Sequence, residues 1–397
     1  MPQAPPTAPS KTPSKSSRFL LHGRVITPKQ DLADATVLVE DQRIAWVKRG
    51  KVDAPGTTLL TEPGDTVAPG FIDLQVNGLA GHDAAAGAGA IAAISSALPR
   101  FGVTGFLPTL ISRPLDEAIR FVEACATAAN PGARVLGAHV EGPFLNPKYR
   151  GAHDPECLLL PKQEYIERLL ARPPRLMTIA PELPGALEAI RRLTAAGVLV
   201  SAGHSGATFA EAEQGFVAGV RFGTHLFNAM APLHHREPGL PGALMAEERV
   251  AVGLIADGIH VHPSMLALAV RMAGPGRVWL TTDQVAAAGS PPGRYVIAGR
   301  EVISDGTTVR LADGTLAGSA ITMDREVHLM ATLQGLTLRD AVEMATLTPA
   351  RALGIDAEAG VIHRGARADL VVLDHAQRVR LTLVGGNVLF HANRNDA

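Results

Sequence analysis

The sequence predicts an α/β protein: a (β/α)8 TIM-like barrel with a small β-sandwich domain formed by both termini. Three observations predict it. Eight apolar runs of strand length alternate with amphipathic stretches of helical spacing between Phe71 and Thr282. No GxGxxG follows the first of them, which argues for a closed barrel over an open doubly wound sheet. Short alternating runs bounded by turn residues occupy both ends of the chain, the pattern of antiparallel strands.

Taken in order, residues 1–17 (MPQAPPTAPSKTPSKSS) are rich in Pro, Ser and Lys without an apolar centre, so they are expected to be a disordered tail and not a signal peptide. Residues 18–65 supply the N-terminal part of the small β domain: FLLHGRVITP, ATVLVE, a turn at Asp41-Gln42, then RIAWVKRG. The barrel is placed at 66–350. Its strands are read near Phe71–Val76, Thr104–Thr109, Arg134–Val140, Met177–Pro181, Val198–Ala202, Arg221–His225, Val250–Ala256 and Val278–Thr282. Helices are read between them, as at Pro114–Ala128, with Asp116 and Glu117 near its start, and at Pro184–Ala196, with Leu187, Ile190 and Leu193 at three-residue steps. A polar, Gly-rich insertion with hairpin-like pieces spans Gly289–Gly318, and helices follow at Met323–Gln334 and Leu338–Thr346. Residues 351–397 return to short strands. Two or three strands alone are marginal, so both termini are expected to share one domain.

Composition narrows the function. The 397 residues are 46% hydrophobic and the mean hydropathy is +0.14, yet no apolar run approaches the roughly 18 to 20 residues of a membrane span. With 37 basic against 38 acidic residues the net charge is -1, so neither nucleic acid nor a membrane is an expected partner, and an anionic ligand must be met by local charge. The two cysteines, Cys125 and Cys157, fall in no metal-ligand spacing. They suit a reducing cytoplasm, with Cys125 on the buried face of a helix.

In a parallel barrel the functional face lies at the C-terminal ends of the strands. Polar residues collect there: Gln75 and Asn77 on strand one, His139 and Glu141 on strand three, His204 on five, His225 on six, Asp257 and His260 on seven, Asp283 on eight. A Glu at the tip of a buried strand is costly unless something positive meets it. Glu141, His204 and His225 supply one oxygen and two nitrogens, a set suited to one divalent ion. Zinc is expected, and iron or another first-row ion fits the same ligands. Such an ion polarises a carbonyl and acidifies water, and Asp283 would then carry the proton.

The motifs PGFIDLQVNG, HVEGPFLNPKYRGAH, SAGHSGAT, THLFNAM, REPG, ADGIH, TTD and GTLAGS, in this order, resemble the N-acetylglucosamine-6-phosphate deacetylases of the amidohydrolase superfamily. The resemblance covers nearly the whole chain after the tail. It implies a metal-dependent barrel with a β domain from both termini, Glu141, His204 and His225 as ligands, and Asp283 as catalytic acid and base. It also implies a sugar phosphate held by Ala152, His153, Asn228, Ala229, Arg236, Asp257, His260, Leu316, Ala317 and Gly318. In that family the phosphate-binding Arg and the His of ADGIH come from the neighbouring subunit, so Arg236 and His260 imply a homodimer.

Many amidohydrolases carry His-x-His on strand one and bind a second metal. Gln75-Val76-Asn77 stands there instead, and amides are poor zinc ligands. A single metal is therefore expected, with Gln75 and Asn77 hydrogen-bonding behind the site and His139 orienting Glu141 or the metal's water. Gln284, where the family more usually has a small residue, is expected to turn Asp283 or narrow the pocket. The reaction implied is hydrolysis of the acetamide of N-acetylglucosamine 6-phosphate. The alternatives are the galactosamine isomer, a cyclic amidase or N-acyl amino-acid hydrolase, which would not need Arg236, and a non-catalytic barrel, against which all four of Glu141, His204, His225 and Asp283 stand.

Overall fold

The computed structural model describes residues 18–27 and 30–392. The expected tail at 1–17 lies outside them. Eight barrel strands run parallel in chain order: Phe71–Val76, Val103–Leu110, a third in two pieces (Arg134–Val135 and His139–Glu141), Leu176–Ile179, Leu199–Ala202, Phe222–Gly223, Ala251–Leu254 and Val278–Leu280. Strand eight meets strand one through a Val76–Gln284 bridge, with Gln284 O accepting from Asn77 N at 2.9 Å and Gly78 N at 3.0 Å. The third strand was expected to run unbroken. It is interrupted at 136–138, where Gly137 takes a left-handed backbone (φ 129) that a pleated ladder cannot accommodate.

Most residues of these strands are buried on both faces. Phe71 to Val76 and Val103 to Leu110 are buried throughout, as expected of parallel strands covered by helices. The helix Leu115–Thr127 shows how the cover forms. Leu115, Ala118, Phe121 and Cys125 recur at helical spacing and are its buried positions, while Asp116 and Glu117 sit in its first turn, where the helix dipole favours acids. Cys125 is 4% exposed and burial raises its thiol pKa far above the ordinary value, so it packs as an apolar residue.

Strands from both ends of the chain join in one eight-stranded sheet. Its order is Asn387–His391, Val379–Val384, Leu370–Leu373, Thr66–Pro69, Arg18–Ile26, Asp31–Glu40, Arg43–Arg49, with Thr58–Leu59 against Arg18–Ile26. The sheet has its own core, with Leu21, Val37, Val67, Leu370 and Leu381 in one cluster. Asp369, 3% exposed, links the sheet to the barrel by accepting from Arg134 Nη2 at 2.9 Å. The insertion forms a three-stranded antiparallel sheet, Gly293–Ile297, Arg300–Ser304 and Val309–Arg310. It is pinned over the mouth of the barrel by Ala298 N on Asp83 Oδ2 at 2.6 Å and by Arg300 Nη1 on Ala152 O. No described helix is long and apolar enough to cross a membrane.

Candidate active site

Three of the residues singled out by their strand-end positions leave their strands in a left-handed turn: His204 (φ 56), His225 (φ 29) and Asp283 (φ 48). Non-glycine residues avoid this region, and its recurrence at the ends of strands five, six and eight marks strain held by the surrounding fold. The turns bring the side chains together. Glu141 Oε1 lies 3.1 Å from His204 Nε2 and 2.9 Å from His225 Nε2, and the two imidazole nitrogens are 3.1 Å apart. Glu141, His204 and His225 are 2%, 4% and 4% exposed.

A third histidine approaches the same carboxylate. His153 Nε2 is 3.7 Å from Glu141 Oε2, and Glu141, His153 and His204 also present ligand atoms within 4.8 Å of one another. The hydrogen bonds of the far ring nitrogens distinguish His204 from His153. His204 Nδ1 faces the carbonyl of Tyr149 at 2.8 Å, which only accepts, so Nδ1 carries the proton and Nε2 has a free lone pair. His153 Nδ1 receives the backbone N–H of Ser112 at 3.0 Å, which only donates. The neutral ring of His153 therefore carries its proton on Nε2 and enters the site as a donor, not as a ligand. The arrangement that leaves imidazole lone pairs free for an ion is Glu141 with His204 and His225.

The electrostatics fit a cation at this point. Burial pulls His204 down to about 4, so its ring is neutral and its Nε2 lone pair faces a carboxylate oxygen that is also an acceptor. Burial resists charge on Glu141, but the imidazoles of His153, His204 and His225 around it outweigh burial and hold the carboxyl well below its usual range. Two acceptors 3.1 Å apart repel unless a proton or a metal lies between them. A tetrahedral ion about 2.05 Å from each ligand would separate the donors by about 3.3 Å, close to the observed spacing. The donor set fits a single divalent ion.

These residues line one cavity of about 280 Å³ with Asp283, His153, Asn228, Ala229, Ala152, His260, Leu316 and Gly318, near the lower end of small-ligand pockets. A larger cavity of about 720 Å³ opens between the helix Leu115–Thr127 and the insertion's tip, but it contains no such convergence. Asp283 is half-buried in the cavity wall, and burial followed by the charge of Glu141 pushes its carboxyl up to about 7. Its Oδ1 accepts from Gln75 Nε2 at 3.0 Å and Asn77 Nδ2 at 2.6 Å.

Other residues are placed differently from expectation. His139 bonds Leu74 O through Nδ1 at 3.1 Å and Thr178 Oγ1 through Nε2 at 2.8 Å. Both nitrogens are thus engaged inside the barrel and not on Glu141. His260 lines the cavity of its own chain, with Nδ1 on Asp257 Oδ2 at 2.6 Å, so the expectation that it reaches a neighbour's site is corrected. Asp257 serves through that ring, its other oxygen accepting from the amides of Ile259 and His260 at 2.8 Å each. Ala317 is fully buried beside the lining. Arg236 is exposed, with Nη1 on His235 Nε2 at 2.9 Å, outside this cavity.

Gln284 neither lines the cavity nor narrows it. Successive side chains of an extended strand point to opposite sides, and Gln284 is 1% exposed at the barrel's closing seam. Sequence reasoning missed Ser112, whose hydrogen bond sets the tautomer of His153, and Ile111, Ile255 and Ile297, which give the cavity its apolar walls. Only their places just past strand ends or in the insertion signalled them.

The amidohydrolase family profile matches residues 66–389. The chain belongs to the amidohydrolase family. This amidohydrolase is 37% identical over 373 residues to an N-acetylgalactosamine-6-phosphate deacetylase of Escherichia coli O157:H7, covering 92% of this chain and 97% of that one. It is 38% identical over 389 residues to an N-acetylglucosamine-6-phosphate deacetylase of Homo sapiens, covering 94% and 90%. Among solved structures it matches a variant of the N-acetyl-D-glucosamine-6-phosphate deacetylase of Mycobacterium smegmatis in complex with N-acetyl-D-glucosamine-6-phosphate. The TM-score is 0.89 at 34% identity, covering 94% of this chain and 99% of that one.

Proposed function

We propose that this amidohydrolase hydrolyses the acetamide of N-acetyl-D-glucosamine 6-phosphate, releasing acetate and D-glucosamine 6-phosphate. The observation that carries the reading is the meeting of Glu141, His204 and His225 with Asp283 in one buried cavity, in a chain so similar to such deacetylases along its length. One divalent ion per chain, zinc by preference, would be held by Glu141, His204 and His225. When bound it supplies Lewis acidity to the acyl oxygen and lowers the pKa of water.

The chain's own residues do the rest. Asp283, as carboxylate, takes a proton from the attacking water and, as acid, returns it to the departing nitrogen. His153 Nε2–H stands ready to donate to the acyl oxygen as negative charge develops there. Asn228, Ala229, Ala152, Leu316 and Gly318 wall the sugar, and the Asp257-bonded ring of His260 faces it. Arg236, a planar bidentate donor, is assigned to the 6-phosphate of a second subunit's substrate, making the active form a homodimer. The unpaired thiols of Cys125 and Cys157 support a cytoplasmic location.

The galactosamine isomer is the second reading, favoured by the Escherichia coli relative. Identities of 37% and 38% do not separate the two. Measuring acetate release from both phosphorylated isomers, each with and without the phosphate, on zinc-loaded protein tests the proposal. Release from the glucosamine isomer that depends on the phosphate is expected. Release from neither isomer would overturn it.

A further inference from the structure

Glu182 stands just beyond the fourth barrel strand, outside the catalytic cavity, and its carboxylate is committed to two other loops. Oε1 accepts from Asn146 Nδ2 at 2.9 Å and from the backbone N–H of Gly206 at 2.7 Å. Oε2 accepts from Ser205 Oγ at 2.7 Å. Asn146 belongs to the loop that leaves strand three, downstream of Glu141 and upstream of His153. Ser205 and Gly206 directly follow His204. Three hydrogen bonds to one carboxylate form a strong, charge-assisted clamp.

The clamped atoms lie one step from the metal-facing ring. Asn146 N donates to His204 O at 3.0 Å, and Asn146 O accepts from Tyr149 N at 2.9 Å. Tyr149 O in turn receives His204 Nδ1 at 2.8 Å, the bond that leaves the Nε2 lone pair for an ion. The ring of Tyr149 sits so close to Gly206 that a Cβ there would meet its Cε2 at 2.4 Å, so only glycine lets the two loops approach. Ser205 ties in a third loop, since its N donates to Ala229 O at 3.1 Å.

We propose that Glu182 is a positioning residue for the metal site: it docks the strand-three loop onto the strand-five loop, and thereby holds the Tyr149 carbonyl where it fixes the tautomer and tilt of His204. The inference rests on the proposed single-ion site. Outer partners of this kind commonly matter about 10- to 100-fold in metal affinity.

The test measures zinc affinity of the metal-free full chain by competition with a chromophoric chelator, without substrate. Glu182→Ala should weaken zinc binding at least about tenfold while the thermal unfolding of the metal-free chain stays cooperative. Glu182→Gln keeps an acceptor for Asn146 and Gly206 and a donor that Ser205 Oγ can receive, and should restore most of the affinity. If Glu182→Ala does not fold, Asn146→Ala removes the other half of the clamp and should show the same weakening. Wild-type zinc affinity in whichever of the two alanine variants folds overturns the proposal. Failure of the unmutated chain to bind zinc would instead overturn the metal site itself.

Discussion

Asn77 Nδ2 lies 2.6 Å from Asp283 Oδ1, and Gln75 Nε2 lies 3.0 Å from the same oxygen. The two amides share one face of strand one, two residues apart, and stand where binuclear relatives carry histidines. Here they grip the carboxylate of strand eight. With Oδ1 held twice, Oδ2 is the oxygen left for the proposed proton transfer. Asn77→Ala should lower kcat on the order of 10- to 100-fold, with KM and zinc content unchanged. Placed in an Asp283→Asn background, itself reduced about 10²- to 10⁴-fold, it should cost nothing more. Full additivity of the two losses, read from steady-state kinetics, would show that Asn77 acts elsewhere.

The tautomers separate ligands from donors. His204→Asn and His225→Asn should each lose zinc. His153→Asn should retain a full equivalent of zinc and lose about 10²- to 10³-fold in kcat, the scale of one oxyanion donor. Metal analysis beside turnover distinguishes the two sets of three residues, and a zinc-free His153→Asn would reverse the assignment.

Strand one also limits the metal count. Gln75 and Asn77 offer amides already engaged with Asp283, so plasma emission analysis of purified protein should find one ion per chain. Two per chain would contradict this, and chelation of the single ion should abolish turnover.

The pH response follows from burial. Asp283 is pushed up to about 7, and its base role needs the carboxylate, so kcat/KM should fall as pH drops. A bound cation favours the charged form, which places the acidic limb below 7. Asn77→Ala, by removing a hydrogen bond to the charged form, should move that limb upward. Asp73 is fully buried, and burial outweighs its hydrogen bonds from Thr282, Gln75 and Thr281 to raise it to about 6. Its neutral form is the one the fold favours. The associated stability is complete below its unfolded value near 3.8 and is lost as pH rises through about 6, amounting to roughly 3 kcal/mol. Urea unfolding of metal-free protein should show a shallower decline across this window in Asp73→Asn.

Arg236 is exposed in its own chain. If it serves a partner's substrate, mixing inactive Asp283→Asn with weakened Arg236→Ala should restore activity. The subunit that keeps Asp283 would then receive Arg236 from the other. Absence of rescue under conditions of subunit exchange would place the phosphate contact within one chain.

The barrel was legible because burial on both faces leaves strands as uninterrupted apolar runs, and because the few polar residues breaking the pattern stand where strands end. Glu141, His204, His225 and Asp283 were visible for that reason. Ser112, Glu182 and Tyr149 were not. Ser and Tyr in loops look the same whether or not they bond a ligand, and a half-buried Glu past a strand resembles any solvated carboxylate. The opposite error befell Gln284, conspicuous beside Asp283 yet turned into the closing seam.

The order of apolar runs and strand-end ionisable groups was enough to determine the barrel and the rim where its ionisable groups gather, since periodicity and donor type are properties of residues. Which nitrogen of His204 and of His153 holds a proton, and which oxygen of Asp283 is free, depended on Tyr149, Ser112, Gln75 and Asn77. Those partners lie on different strands and loops, so only tertiary structure brings a backbone N–H to one imidazole and a carbonyl to another.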